Sequence, residues 1–247
     1  MKHRTRAAIA FVLLFVLYQA AEGVGARLLG SFTVQAGLML ACVLAAWPLS
    51  RWLGYRKLGA WALEVDGRAM GWLAGGLLLA IVAKGVALWI GLRSGIHVHA
   101  VAAPPQALPV LLATLPMLML STFVPSIAED ILTRGFWYRA SGIAWRRGLA
   151  FVAFSTLAYL LNHVYRLGNG PLEWVMLACF GIAHATALWR TGSLWAAVGL
   201  HWGWNLANAS LATIVPVENM STVLAPLLSA AMHLVMTAVV IALVRRR

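Results

Sequence analysis

Charged residues and cysteines are scarce in this sequence. Only 11% of the 247 residues are charged, only seven are acidic, and there are two cysteines. A soluble domain usually has about a quarter of its residues charged. Cys42 and Cys179 each lie inside an apolar run, and two cysteines are too few for a disulfide framework. These shortages exclude a cytosolic globular enzyme, a disordered tail and a disulfide-stapled secreted scaffold.

Hydrophobic residues, by contrast, are abundant. They make up 62% of the chain, and the mean hydropathy is +0.83. A helix needs about 20 apolar residues to cross a hydrocarbon core roughly 30 Å thick. Eight stretches of this kind occur, at residues 7–26, 32–50, 70–92, 109–133, 148–167, 171–189, 193–214 and 222–244. They predict an all-α fold, a polytopic membrane helical bundle of about eight transmembrane helices, forming one integral-membrane domain over residues 1–247.

Two segments need a separate interpretation. Residues 57–66 are too short and too mixed to span, so we expect them at the membrane interface. Basic residues before the first apolar stretch are also typical of a cleaved signal peptide. That stretch is long enough to span, and the rest of the chain is already membrane-bound. We therefore expect a retained first span.

The basic residues predict the orientation. If the N-terminus is cytoplasmic, 15 of the 19 Lys and Arg residues fall on the cytoplasmic side, including Lys2 and Arg245 to Arg247. Only Arg27, Arg93 and Arg166 fall on the other side, and Lys84 lies within the third span. This bias predicts both termini in the cytoplasm. The basic residues behind the net charge of +12 are thus expected to set the membrane topology and to contact anionic lipids, and no nucleic-acid partner is expected.

Ionisable residues at membrane depth are costly, so each is a candidate for function. In the fourth span, Asp130 and Arg134 are four residues apart and share a helix face, so they should pair. Glu129 points about 100° away from that face and has no local partner. Pro125 predicts a kink beside it. The alternative is an acidic residue at a frayed helix end, neutralised by nearby arginines.

Two later spans carry histidines with a polar or aromatic companion. Tyr159 and His163 are four residues apart, as are His201 and Asn205. Gly199 and its neighbour Gly203 would let a helix or a peptide approach the second pair closely. The alternatives are a packed, hydrogen-bonded histidine and an interhelical polar clamp.

Three other ionisable residues within the spans lack such a companion. His184 and His233 are interpreted as structural. Lys84 either extends to the interface or neutralises a buried acid, and the sequence does not distinguish these two roles.

Together these motifs resemble the CPBP family of intramembrane proteases, the CAAX-protease and bacteriocin-processing group also called Abi proteins. The family pattern of Glu-Glu-x-x-x-Arg, Phe-x-x-x-His and His-x-x-x-Asn appears as Glu129-Asp130-x-x-x-Arg134-Gly135, Tyr159-x-x-x-His163 and His201-x-x-x-Asn205. The resemblance covers about residues 109–210, with a catalytic core at about 109–214. Asp130 replaces a Glu of the pattern, and Tyr159 replaces a Phe.

The resemblance implies an endopeptidase that uses a glutamate-activated water. Glu129 would be the base, and His163 would share the water or protonate the leaving amine. His201 and Asn205 would line the oxyanion side, with Asp130, Arg134 and Tyr159 in support.

No cofactor is firmly predicted, because the zinc-protease motif His-Glu-x-x-His is absent from the sequence. Zinc held by Glu129, His163 and His201 stays an alternative. Counted from the cytoplasmic boundaries, Glu129 and His201 are roughly 14–15 Å deep, whereas His163 is roughly 25 Å deep. The fifth helix must therefore tilt or project below the membrane for the three residues to meet.

The expected partners are membrane lipids and a membrane-presented peptide or protein substrate, lipidated or with a hydrophobic C-terminal segment. We expect the protein in a bacterial inner membrane. A non-catalytic family member with a bacteriocin-immunity or scaffold role is the main alternative. A transporter with a midplane polar site is a third, but no inverted repeat supports it.

Overall fold

The computed structural model describes residues 3–100 and 108–245. Of the basic residues used above for orientation, Lys2, Arg246 and Arg247 lie outside this description. The described residues form the predicted all-α bundle, with eight helices in sequence. These are α1 (His3–Ala20), α2 (Phe32–Trp52), α3 (Gly67–Arg93), α4 (Leu108–Asp130), α5 (Gly148–Asn162), α6 (Pro171–Thr191), α7 (Leu194–Ile214) and α8 (Leu224–Leu243).

Two helices continue beyond their α-helical part with a wider, π-helical winding. The first extension is Ala21–Leu28 after α1, and the second is Ile131–Ala140 after α4. Pro125 lies inside α4, as expected, and the change of winding begins directly after Asp130. π-Helical insertions are frequent at functional sites, because they re-aim side chains relative to a regular helix.

Successive helices alternate in direction, so α1 begins and α8 ends at the same end of the bundle. Contacts at this end include Arg190 Nη2, which donates to the carbonyl of Ile241 near the end of α8. We call it the terminal end and the opposite one the far end. At the far end a two-stranded antiparallel ribbon joins β1 (His97–His99) to β2 (Val217–Asn219), which the sequence did not predict.

Six of the helices that the structure describes are long and apolar enough to cross a membrane, with their π-helical extensions included. They are α1, α2, α3, α4, α6 and α8. Helix α5 is apolar but has only 15 residues. Helix α7 has 21 residues, most of them buried against other helices, so it does not need a lipid-facing surface. Eight membrane spans therefore stay a prediction.

Helix α7 lies at the centre, and small residues bring α3 against it. A methyl group on Gly203 would lie 2.6 Å from the carbonyl oxygen of Leu77, and one on Gly76 would lie 2.8 Å from that of Ala196. Gly199 is similarly close to α3. The close approach that the α7 glycines predicted is thus made by another helix.

Residues 57–66, the segment expected at the interface, lie at the terminal end and are partly inserted between helices. Trp61 is fully buried and donates from Nε1 to the carbonyl of Ala46 at 2.9 Å. Leu194 N, at the start of α7, donates to the carbonyl of Ala62 at 2.9 Å. This segment therefore anchors the start of the central helix.

Candidate active site

Asp130 and Arg134 form a buried ion pair at the end of α4. Both side chains are inaccessible to solvent, as expected for residues one turn apart that share an inward face. Arg134 Nη1 also donates to Thr133 Oγ1 at 3.0 Å, and its guanidinium lies 4.5 Å from the centre of the Tyr159 ring. The arginine is therefore held on several sides.

Three helices meet at Glu129, the residue before Asp130 on α4. One carboxylate oxygen, Oε1, lies 3.4 Å from Nδ1 of His163. The other, Oε2, lies 3.7 Å from Nε2 of His201. Asn162 Nδ2 donates to Oε1 at 3.2 Å. Glu129 is 4% exposed, and these partners of its carboxylate lie at the end of α5 and on α7.

His163 follows the last residue of α5, and its ring turns back toward the preceding turn. Nδ1 lies 2.9 Å from the carbonyl oxygen of Tyr159. A carbonyl can only accept, so Nδ1 carries a proton. The neighbouring Asn162 is fixed by Gln19, whose Nε2 donates to Asn162 Oδ1 at 2.9 Å. That contact leaves the Asn162 amide nitrogen to face Glu129.

His201 bridges the two acidic residues. Its Nδ1 lies 3.3 Å from Asp130 Oδ1, and its Nε2 faces Glu129. Asp130 is paired with a guanidinium and is therefore an acceptor, so His201 Nδ1 is the donor. Asp130 thus orients an imidazole in addition to pairing with Arg134, a role that the sequence did not predict.

Asn205 lies one turn beyond His201 on the same face of α7. Its Nδ2 donates to Ser126 Oγ at 3.1 Å, which links α7 to α4. This bond fixes the direction of the side-chain amide.

The four residues predicted to be catalytic line one cavity of about 400 Å³. They are Glu129, His163, His201 and Asn205. Toward the far end, Arg27 and Arg166 also line this cavity. On the side of the terminal end, the buried Asp130–Arg134 pair lies beneath it. The cavity therefore brings a carboxylate, two imidazoles and an amide together and extends from them toward the far end of the bundle.

Tyr159 departs from the family pattern in its hydroxyl only. Its ring lies 4.5 Å from the His163 ring, and its backbone carbonyl accepts from that histidine. Arg134 packs over the ring face. These three contacts need a carbonyl and an aromatic ring, which Phe would also supply.

Sequence reasoning missed two residues next to these side chains. Asn162 immediately precedes His163, and that adjacency was its only signal. His184 on α6 was interpreted as structural, but its ring stacks on His201 at 5.1 Å between centres and 19° between planes. Its Nδ1 lies 3.3 Å from Arg134 Nη2. Residue spacing within one helix does not show which other helices it contacts, so the contacts of His184 with α4 and α7 could not be predicted from the sequence.

One cluster in the described part of the chain has three side chains that could hold a metal ion. Asp130, His184 and His201 place ligand atoms within 4.8 Å of one another. Arginine has no acceptor, so Arg134 donates both to Asp130 and to the lone pair of His184 Nδ1. A divalent cation there would lie beside a fixed guanidinium. Zinc would have to bind there through Asp130 Oδ2 and His184 Nε2, which are buried and have no hydrogen-bond partner among the described residues, against the repulsion of the Arg134 charge.

The zinc set predicted from the sequence meets a similar obstacle. Of Glu129, His163 and His201, only the last belongs to the compact cluster. The ring nitrogen of His163 that faces Glu129 is the protonated one. A metal ligand needs a lone pair, so this nitrogen cannot bind zinc in the observed ring orientation.

The fold and the site together define an integral membrane protein whose helices enclose a Glu–His–His–Asn centre in which Glu129 and His201 are buried. The family model described as "Type II CAAX prenyl endopeptidase Rce1-like" matches residues 111–207. This match confirms the resemblance to the CPBP and CAAX-protease family over 97 of the 247 residues. The matched segment includes every residue predicted for the site and supports a protease. A comparison with curated proteins found no match.

Proposed function

We propose that the protein is an intramembrane endopeptidase that uses Glu129 to activate water. The observation that carries this proposal is the position of Glu129, buried in a cavity and within 3.4 Å of His163 and 3.7 Å of His201. A carboxylate that has polar partners but no arginine or lysine paired with it can accept a proton.

The reaction follows from the side chains. Glu129 takes a proton from water as the water oxygen attacks the carbonyl carbon of the substrate. The tetrahedral oxyanion then forms on the side of His201 and Asn205. His201 can donate from Nε2 when it carries two protons, and the carboxylate of Asp130 stabilises that imidazolium. Collapse of the tetrahedral intermediate breaks its carbon–nitrogen bond. The leaving amine takes the proton that Glu129 received from water, and His163 lies beside Glu129 to assist this transfer.

The proposed substrate is a peptide or protein tail presented in the membrane, with a prenyl group as the lipid implied by the family. The cavity lies within a bundle of apolar helices, so a lipidated tail reaches it from the bilayer. We place the protein in a bacterial inner membrane with both termini in the cytoplasm, as its basic residues predict.

The test is hydrolysis by the purified full-length chain in detergent. The probe is a peptide with an S-farnesyl cysteine three residues before its C-terminus, and the assay is mass spectrometry in ¹⁸O-labelled water. We expect a shortened peptide with ¹⁸O in its new carboxylate. A folded protein that cleaves no member of a panel of prenylated peptides would instead indicate the scaffold or immunity role.

The same assay tests for metal. If Glu129 acts on a free water, hydrolysis should survive a membrane-permeant chelator, and the purified protein should contain much less than one zinc per chain. Two results together would contradict a metal-free mechanism. Activity would rise across preparations with the zinc content, up to one zinc per chain, and chelation would abolish activity that added zinc restores.

Asn205→Ala should lower kcat more than it raises KM. The amide is proposed to contact an oxyanion that exists only in the transition state, so its loss should cost about 10²-fold in kcat. Asn169→Ala, the same change on an exposed residue outside this cavity, is the matched control for loss of an amide. An Asn205→Ala effect confined to KM would require a different role for this residue.

A further inference from the structure

Lys84 is the charged residue in the third span whose role the sequence left open. It lies on α3, outside the segment that matches the family model. It lines the catalytic cavity and also an adjoining cavity of about 670 Å³ toward the far end. Lys84 therefore faces neither lipid nor a buried acid but the junction of two cavities.

No carboxylate of the described residues lies within ion-pairing distance of Lys84. Its Nζ lies 4.9 Å from the centre of the Trp204 ring, a cation–π contact that leaves the ammonium hydrogens available. A charged group inside a membrane protein normally has a charged partner or a function.

Two arginines also line the catalytic cavity. Arg166 pairs with Glu173. Arg27 is exposed, lies 4.9 Å from the Tyr165 ring and does not line the adjoining cavity. Glu22 accepts a hydrogen bond from the side-chain amide of Gln35 at 3.1 Å.

His97, on the far-end ribbon, lines the adjoining cavity as well. Burial and, to a smaller extent, the nearby charge of Lys84 lower the pKa of His97. His97 is therefore neutral at pH 7, and Lys84 is the cation that this junction offers to a ligand.

The packing of α3 on α7 gives the depth of Lys84 relative to the catalytic residues. Ala80 lies beside Gly203, with 2.9 Å between the Ala80 side chain and a methyl group placed on Gly203. One turn further along both helices, Lys84 is level with Ala207. That level is six residues beyond His201, or about 9 Å along the helix axis. About three residues of extended peptide cover such a distance.

Asn208 supplies a second polar group at this level. It lies seven residues after His201 on the same face of α7 and lines both cavities, as Lys84 does. An ammonium and an amide donor on facing helices are suited to bind a carboxylate.

We propose that Lys84, with Asn208, binds the free C-terminal carboxylate of the substrate tail and thereby sets which peptide bond reaches Glu129. This proposal rests on the proposed endopeptidase function. Lys84 acts as a specificity and positioning residue, because it touches the substrate away from the reacting atoms. The carboxylate is the anion that every tail with a free C-terminus carries, whatever its sequence.

The experiment compares two farnesylated peptides that differ only in ending as a free acid or as a carboxamide. For the native chain we expect kcat/KM to be about ten- to a hundredfold higher for the acid, the effect of one charge-assisted hydrogen bond. Lys84→Met should bring the acid-to-amide ratio close to one, and Lys84→Arg should retain most of the preference. Lys57→Met, a matched change on an exposed lysine outside both cavities, should leave the ratio as in the native chain.

Three results would overturn the proposal. The first is equal cleavage of acid and amide by the native chain, which would leave the proposed proteolysis intact. The second is an acid preference that persists in folded Lys84→Met or, should that variant not fold, in Lys84→Gln. The third is that Lys84→Met lowers kcat/KM equally for both peptides and does so only in nanodiscs that contain anionic lipid. That result would indicate that Lys84 binds a lipid headgroup. Cleavage of neither peptide by the native chain refutes the proposed function itself.

Discussion

Replacing Glu129 by glutamine should lower kcat/KM by about 10³-fold or more while leaving the protein folded and inserted. Glutamine has nearly the same shape, and its carbonyl can still accept the hydrogen bond from Asn162. It cannot accept a proton from water at neutral pH. Glu218→Gln, the same change on an exposed residue of the far-end ribbon, is the matched control. Turnover of the prenylated peptide and thermal unfolding of each variant are the measurements.

Asp130→Asn should be milder, at about 10- to 10²-fold. Asparagine removes the counterion of Arg134 and weakens the orientation of His201, but neither change removes the proposed base. Both effects act through other side chains, so a residual rate should be measurable. Equal total loss for Glu129→Gln and Asp130→Asn, at normal expression, would refute this division of roles.

The order and approximate limits of the helices were largely predictable, because each apolar stretch is long and bounded by loops. The pairing of Asp130 with Arg134 was also predictable, since residues four apart share a helix face. The span count was less secure, because helix α7 combines tryptophans, a histidine and asparagines that serve the interior of the bundle rather than lipid. Periodicity within one helix does not reveal which neighbour covers it.

The depth of His163 illustrates what the sequence could not resolve. Counting residues placed it about 10 Å deeper than Glu129. In the structure, Ser155 Oγ donates to the carbonyl of Thr133 at 2.9 Å, so the turn below Glu129 is level with Ser155. Helix α5 then ends at Asn162, and the ring of His163 turns back by one turn to the carbonyl of Tyr159. The direction of its side chain therefore brings this histidine toward the glutamate.

Contacts between distant helices account for the remaining differences. His184 and Lys84 lie on α6 and α3 without a polar companion at helical spacing, so each looked structural or ambiguous. Their surroundings are supplied by α4 and α7 and depend on how the helices pack. The sequence reveals motifs confined to one helix, whereas these two residues act across helix interfaces.

Arg134→Met should destabilise the protein by about 3–5 kcal/mol, because it leaves the carboxylate of Asp130 buried without a counterion. The lost contacts with Thr133 and with His184 add to this cost. The companion variant is the double change Asp130→Asn with Arg134→Met, which removes both charges from the interior. It should be more stable than Arg134→Met alone, since no uncompensated charge is left.

Thermal unfolding of the two single variants and the double variant in one detergent measures this coupling. We expect the melting temperature of Arg134→Met to lie below that of the double variant, which in turn lies below that of the native chain. Additive effects of the two single changes would contradict a strong pair. In that case Arg134 would stabilise the site mainly by packing on Tyr159 and by its hydrogen bond to His184. Arg134→Met would then lower the melting temperature of Asp130→Asn by as much as it lowers that of the native chain.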